Sequence, residues 1–125
     1  MSESKAEKGT ATLQKLFGTG VRGSAMSAGF AQMTVEHLFG DVWQRPGLSV
    51  EERSLLTCTV LIALGREAEQ KIHFRGARNL GISREKLEEV LIHVAHYAGW
   101  PVSASGSRTL DEVWKAMDAE AGKKA

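Results

Sequence analysis

Residues 55–64 read LLTCTVLIAL, and no side of a helical wheel drawn through them is polar enough to face water along its whole length. Just before them Ser49 and Glu52 form the S-x-x-E pattern of a capping box, which satisfies two orphan backbone N–H groups and starts a helix at Ser49. A helix that is apolar nearly all round belongs in the middle of a structure or in a subunit interface. It is far too short for a bilayer, because the longest unbroken apolar run, residues 60–64, falls well below the roughly 20 residues a span requires. The polar N-terminus, MSESKAEKG, does not resemble a secretion signal. These features predict a soluble, cytoplasmic chain with no membrane partner.

The rest of the sequence repeats a 3.6-residue apolar spacing punctuated by glycine, with no strand-like alternation and only Pro46 and Pro101 as prolines. This predicts an all-α fold, a single domain of five to six helices. A first helix, capped by Thr10 or Thr12, carries Leu13, Leu16 and Phe17 and stops at Gly18 or Gly20. A second runs from about Ser27 to Leu38, with Gly40 beyond it and a Pro-Gly turn at Pro46 and Gly47. After the apolar helix and a break at Gly65, a helix from about Arg66 to Leu80 ends at Gly81. Ser83 caps the next, which Gly99 and Pro101 close, and a loop over 102–107 leads to a last helix from about Thr109 that buries Leu110, Val113, Trp114 and Met117. Residues 1–9 and 121–125 carry charge without an apolar period and are expected to be disordered ends around a helical domain spanning 10–120.

At 125 residues and 42% hydrophobic composition the chain suits one domain, able to bury roughly two-thirds of its unfolded surface. The net charge of +1 leaves no cationic surplus for a phosphate backbone, so no nucleic-acid partner is expected. The single cysteine, Cys58, excludes a CxxC pair, an intrachain disulfide and a Cys-rich zinc site. Within its apolar helix it reads as inert filler, its pKa raised by burial.

On the 66–80 helix the apolar face is drawn by Ile72, Gly76, Ala77 and Leu80, and Glu69 and His73 project within it. Four residues apart, the carboxylate and imidazole can meet on adjacent turns. Burial raises the Glu pKa and lowers the His pKa, and mutual attraction does the reverse, so the pair can hold one proton near neutral pH. It reads either as a proton-handling pair or as a structural pair that fixes helix packing. A zinc site would need a third and fourth ligand recruited from His37, His93 or His96, and no metal is expected. His96 points away from the apolar stripe of its helix, and His93 flanks it. Trp43 and Trp100 sit beside helix ends, where a ring can close over a pocket or pack on the core. Arg45, Arg53 and Arg75 are the cations nearest these segments, and a carboxylate substrate would need one of them.

Taken together, FG-VW-RPGL (Phe39 to Leu48), ERSLLT (Glu52 to Thr57), ALGRE with Glu69 and His73 downstream, RGA with G-I-S-R-E (Arg75 to Glu85) and YAG-P (Tyr97 to Pro101) resemble the carboxymuconolactone decarboxylase family. The resemblance implies an alkylhydroperoxidase D-like helical fold assembled as a homo-oligomer, commonly a trimer or hexamer, with active sites near subunit contacts. It also implies a branch. Arg66 and Glu69 occupy the positions of the CxxC pair of the alkylhydroperoxidase branch, and Ser54 that of its proton-relay glutamate, so thiol peroxidase activity is excluded and the decarboxylase branch is indicated.

In that branch the implied reaction is cofactor-independent loss of carbon dioxide from γ-carboxymuconolactone, or a related carboxylated lactone, in the β-ketoadipate route of aromatic catabolism. By resemblance, His73 is the expected proton donor and Glu69 its orienting partner. Arg45 is the expected carboxylate binder, with Trp43, Trp100 and His93 as further substrate-binding candidates. Three features depart from the branch: Ala68 where a histidine often stands, Trp100 where a smaller residue is common, and a tail, SASGSRTLDEVW, that is less alanine-rich. The competing reading is an oligomeric protein without catalysis.

Overall fold

Four serines act as helix-starting caps. The side chain of Ser49 accepts from the Glu52 N–H at 3.0 Å while the Ser49 N–H donates to the Glu52 carboxylate at 2.8 Å. Ser4 and Glu7 repeat the reciprocal arrangement, and Ser27 and Ser83 cap with a single bond each. The computed structural model describes residues 3–18 and 26–124. Among these residues there are six α-helices: α1 (Lys5–Phe17), α2 (Ala28–Met33), α3 (Val50–Ala63), α4 (Glu67–Asn79), α5 (Arg84–Ala98) and α6 (Trp100–Lys124). A π-helical turn (Thr34–Phe39) continues α2, and a 3-10 turn (Val42–Gln44) follows it. Among the described residues there is no strand, so the class is all-α.

The chain divides into two compact units, one ending at Arg53 and one starting at Ser54. In the first, α1 packs on the π-helical turn through glycine. A Cβ at Gly9 would collide with the Val35 carbonyl, and one at Gly40 with the Lys5 carbonyl. Leu16, Phe39 and Trp43 are buried, and the Phe39 ring meets Phe17 edge-on at 6.2 Å and Trp43 at 5.2 Å. The Gln44 side-chain amide donates to the Thr12 hydroxyl and the Phe39 carbonyl, each at 2.8 Å. The expectation of disorder through residue 9 fails from Ser4 onward, because the Ser4–Glu7 capping box starts α1 ahead of Thr10 and glycine contact holds it.

In the second unit the core gathers Cys58 and Ile62 from α3, Phe74 and Ala77 from α4, Leu87, Leu91 and Val94 from α5, and Leu110 and Val113 from α6. Helix α6 is the principal surprise. It begins at Trp100 and runs unbroken through the segment expected as a loop over 102–107, and it continues through residue 124 where an unstructured tail was expected. Gly99, at φ 110°, ends α5, and Pro101 falls in the first turn of α6, where its missing N–H costs nothing. The small residues that suggested a loop instead let α6 approach α5. Ser103 is buried and its hydroxyl donates to the Leu91 carbonyl at 2.8 Å, and a Cβ on Gly106 would come within 2.8 Å of the Leu91 side chain. Further along, Arg78 donates to Asp118 at 2.7 Å and lies 5.0 Å over the Trp114 ring, and Arg75 makes a two-pronged pair with Glu120. These bonds tie the C-terminal half of α6 to α4.

The Cys58 thiol is fully buried, donates to the His73 carbonyl at 3.5 Å, and is pushed by burial up to about 12. We expect under one-tenth labelling of the native protein by a thiol reagent in an hour at pH 8, and complete labelling in denaturant. Rapid native labelling would contradict this burial.

Candidate functional site

Gly65, at φ 69°, turns the chain from α3 into α4. Arg66 precedes the first residue of α4, and Glu69 and His73 follow at the spacing that puts all three along one face of the helix. The Arg66 guanidinium donates to the Glu69 carboxylate at 2.7 Å. That bond, before any other cause, holds the Glu69 carboxyl below its usual range, with its own backbone N–H and the charges of Arg66 and His73 acting in the same direction. His73 is half-buried. Burial holds its imidazole below the ordinary value of 6.5, and the Glu69 charge pulls it partly back. The arrangement therefore keeps a carboxylate ionised beside an imidazole with little cost to its neutral form, which is what a proton-handling histidine needs.

The buried face of α4 includes Gly76 and Ala77 as expected but is turned away from Ile72. It is centred on Gln70, Phe74 and Ala77, with Gly76 beside them, whereas Ile72 is 46% exposed. Glu69 and His73 therefore flank the buried stripe instead of lying at its centre, and the Glu69 side chain keeps 40% of its exposure. The reason is Gln70. A polar residue at the middle of the face disguises the period, yet it is fully buried because its amide donates to the Leu61 carbonyl at 3.1 Å. Gln70 and Phe74 carry no signal in the apolar spacing, and Arg66 stands there only as a helix start and a position without cysteine. The three-residue spacing of Arg66 and Glu69 is the signal for their bond.

Of the remaining candidates, Trp43 and Arg45 belong to the first unit and His93 and Trp100 to the second. Trp43 is 7% exposed and packed on Phe39, a core ring of the first unit. Arg45 is exposed in that same unit, and its carbonyl accepts from the Arg53 guanidinium at 3.1 Å. His93 is exposed on α5, stacked at 4.9 Å on Tyr97, and lines a groove with Leu55, Thr59, Lys86 and Glu89. Trp100 opens α6 and is 67% exposed, meeting His96 edge-on at 5.8 Å and lining a separate cleft with Leu91, Ala95 and Ser103. Neither Glu69 nor His73 lines either depression. The structure thus brings Glu69 and His73 together with Arg66 and does not bring Trp100 or His93 into their surroundings.

The sequence pattern of the carboxymuconolactone decarboxylase family matches residues 28–112, a stretch that runs from α2 into α6 and contains all six candidates. The chain belongs to the carboxymuconolactone decarboxylase family. Among its relatives, the 4-carboxymuconolactone decarboxylase of Acinetobacter baylyi is 44% identical over 77 residues, 62% of this chain and 58% of that protein. The nitrosuccinic acid decarboxylase of Metarhizium robertsii is 40% identical over 70 residues, 56% of this chain and 49% of that protein. The matched stretch thus covers only about half to three-fifths of each relative's length. Within this carboxymuconolactone decarboxylase family member, Arg66 and Glu69 stand bonded to each other, and Ser54 is wholly buried.

Proposed function

We propose that this family member is a cofactor-independent decarboxylase acting on γ-carboxymuconolactone or a closely related carboxylated lactone in aromatic catabolism. The observation that carries the reading is the Glu69–His73 pair, an ionised carboxylate one helical turn from a half-buried imidazole inside the family-matched region. The names of both relatives support the reaction type, and the first supports the substrate.

In the proposed step the bond between the ring carbon and the departing carboxylate breaks. Its electron pair moves into the conjugated lactone carbonyl, and carbon dioxide leaves. The resulting enolate takes one proton at carbon from His73, which recovers it from solvent. Glu69 orients the imidazole and stabilises its charged form during the exchange. Arg45 is the proposed partner of the substrate carboxylate. A homo-oligomer, a trimer or hexamer, fits the apolar side of α3 and the residue after it, where Leu56, Val60 and Leu64 are spaced four apart and are 50%, 54% and 67% exposed. We read the protein as cytoplasmic, and among the described residues no helix is long and apolar enough to cross a membrane.

Freshly generated γ-carboxymuconolactone mixed with the purified protein should lose its ultraviolet absorbance and release one carbon dioxide per substrate. Folded protein that releases none would reject this substrate. Nitrosuccinate, named by the second relative, would then be the next acid to test, since its nitro group offers an equivalent electron sink.

A further inference from the structure

Turn residues between helices usually have freedom that Arg66 lacks. Its N–H donates to the Leu61 carbonyl at 2.9 Å, and its own carbonyl accepts from the Gln70 N–H at 2.9 Å. The fully buried Gln70 side chain then donates to the same Leu61 carbonyl at 3.1 Å, so one acceptor at the end of α3 anchors both residues. From this fixed point the guanidinium reaches Glu69 at 2.7 Å, on the helix face that also carries His73.

We propose that Arg66, anchored through Leu61 and Gln70, is a positioning residue that clamps the Glu69 carboxylate beside His73 and confines the pair's shared proton to the imidazole. The inference rests on the proton-handling reading of Glu69 and His73. A stabilising role accounts poorly for the contact, because the two side chains are 60% and 40% exposed and such pairs add little to folding. A clamp accounts for it better. The bond engages Oε1 and leaves Oε2 for a second partner, and the adjacent cation disfavours protonating the carboxylate. On α4 the Glu69 charge acts on the His73 imidazole, and Arg66, just before the helix, bonds Glu69. From α3 comes Cys58, which bonds the His73 carbonyl and, raised to about 12, stays neutral.

The test is an NMR titration of the His73 imidazole in the wild type, Arg66→Gln, Glu69→Gln, the double variant and Arg66→Lys, each checked for native melting. Arg66→Gln should raise the His73 midpoint by about 0.5 pH unit, because the Glu69 charge is left uncompensated. In the Glu69→Gln background the same change should have less than half that effect. Lysine should restore most of the wild-type value. With the lactone as substrate, Arg66→Gln should lower kcat about tenfold with KM within about twofold, and Arg66→Lys should recover activity. A midpoint that Arg66→Gln leaves unmoved, or moves equally in both backgrounds, overturns the proposal. The titration needs no substrate, so a wild type that fails to decarboxylate the lactone rejects the function while the role of Arg66 is still decided.

Discussion

Replacing His73 with alanine is expected to lower decarboxylation by about 10²- to 10⁴-fold, the range that a positioned acid or base contributes. The loss should fall on kcat and on kcat/KM alike, because a proton delivered to the enolate is used in the transition state and not in binding the ground state. The fold should survive. His73 flanks the buried face of α4, which Gln70, Phe74 and Ala77 occupy, so truncation removes a half-buried ring and leaves the centre of the packing in place. A stability change of about 1 kcal/mol is expected, readable as a small shift in the denaturation midpoint. Steady-state kinetics beside circular dichroism and gel filtration check both halves. Native-like protein that retains activity would remove His73 from the mechanism. Joint loss of fold and activity would return the Glu69–His73 pair to a structural role.

Phe74→Ala should be the most damaging single change in the second unit. The ring is fully buried among residues from four helices, and losing it removes its transfer energy and opens a cavity, about 3–5 kcal/mol together. Against a total of about 5–15 kcal/mol this is about a fifth of the stability or more, and Tm should fall by about 10–20 °C. Ile72→Ala, two residues away, is the control. Ile72 is 46% exposed, so its truncation should cost under about 1 kcal/mol. Chemical denaturation of the two variants decides which face of α4 is packed, since the face expected from periodicity predicts the opposite order.

That contrast shows where the sequence was legible. The Ser49–Glu52 box and the Ser83 cap were readable because each bonds its own neighbours, three residues away at most. The Glu69–His73 pair was readable for the same reason, being one helical turn apart. The run SASGS, by contrast, has the composition of a loop, and it is helical because Ser103 and Gly106 fit against Leu91, a residue 12 to 15 positions earlier. The start of α1 was missed although Ser4 and Glu7 carry the same pattern as Ser49 and Glu52, because no apolar run follows them closely. What secures that helix is glycine contact with the π-helical turn, which lies more than 20 residues on.

The candidate site divides in the same way. Family membership, the absence of a cysteine pair and the alignment of Glu69 with His73 were present in the chain as residue types at short spacings. The burial that lowers the His73 pKa and the anchoring of Arg66 and Gln70 on Leu61 were not. The packing of Trp43 as a core ring and the separation of Trp100 and His93 from the pair were equally hidden. By itself the sequence determined most of the helices, the Ser49 and Ser83 caps and the groups able to exchange a proton, because hydrogen bonds and helical periodicity act over a few residues. Only the tertiary structure decided which helix face is dry and which polar groups share an acceptor, because desolvation depends on what other helices place against a residue and not on its neighbours in the chain.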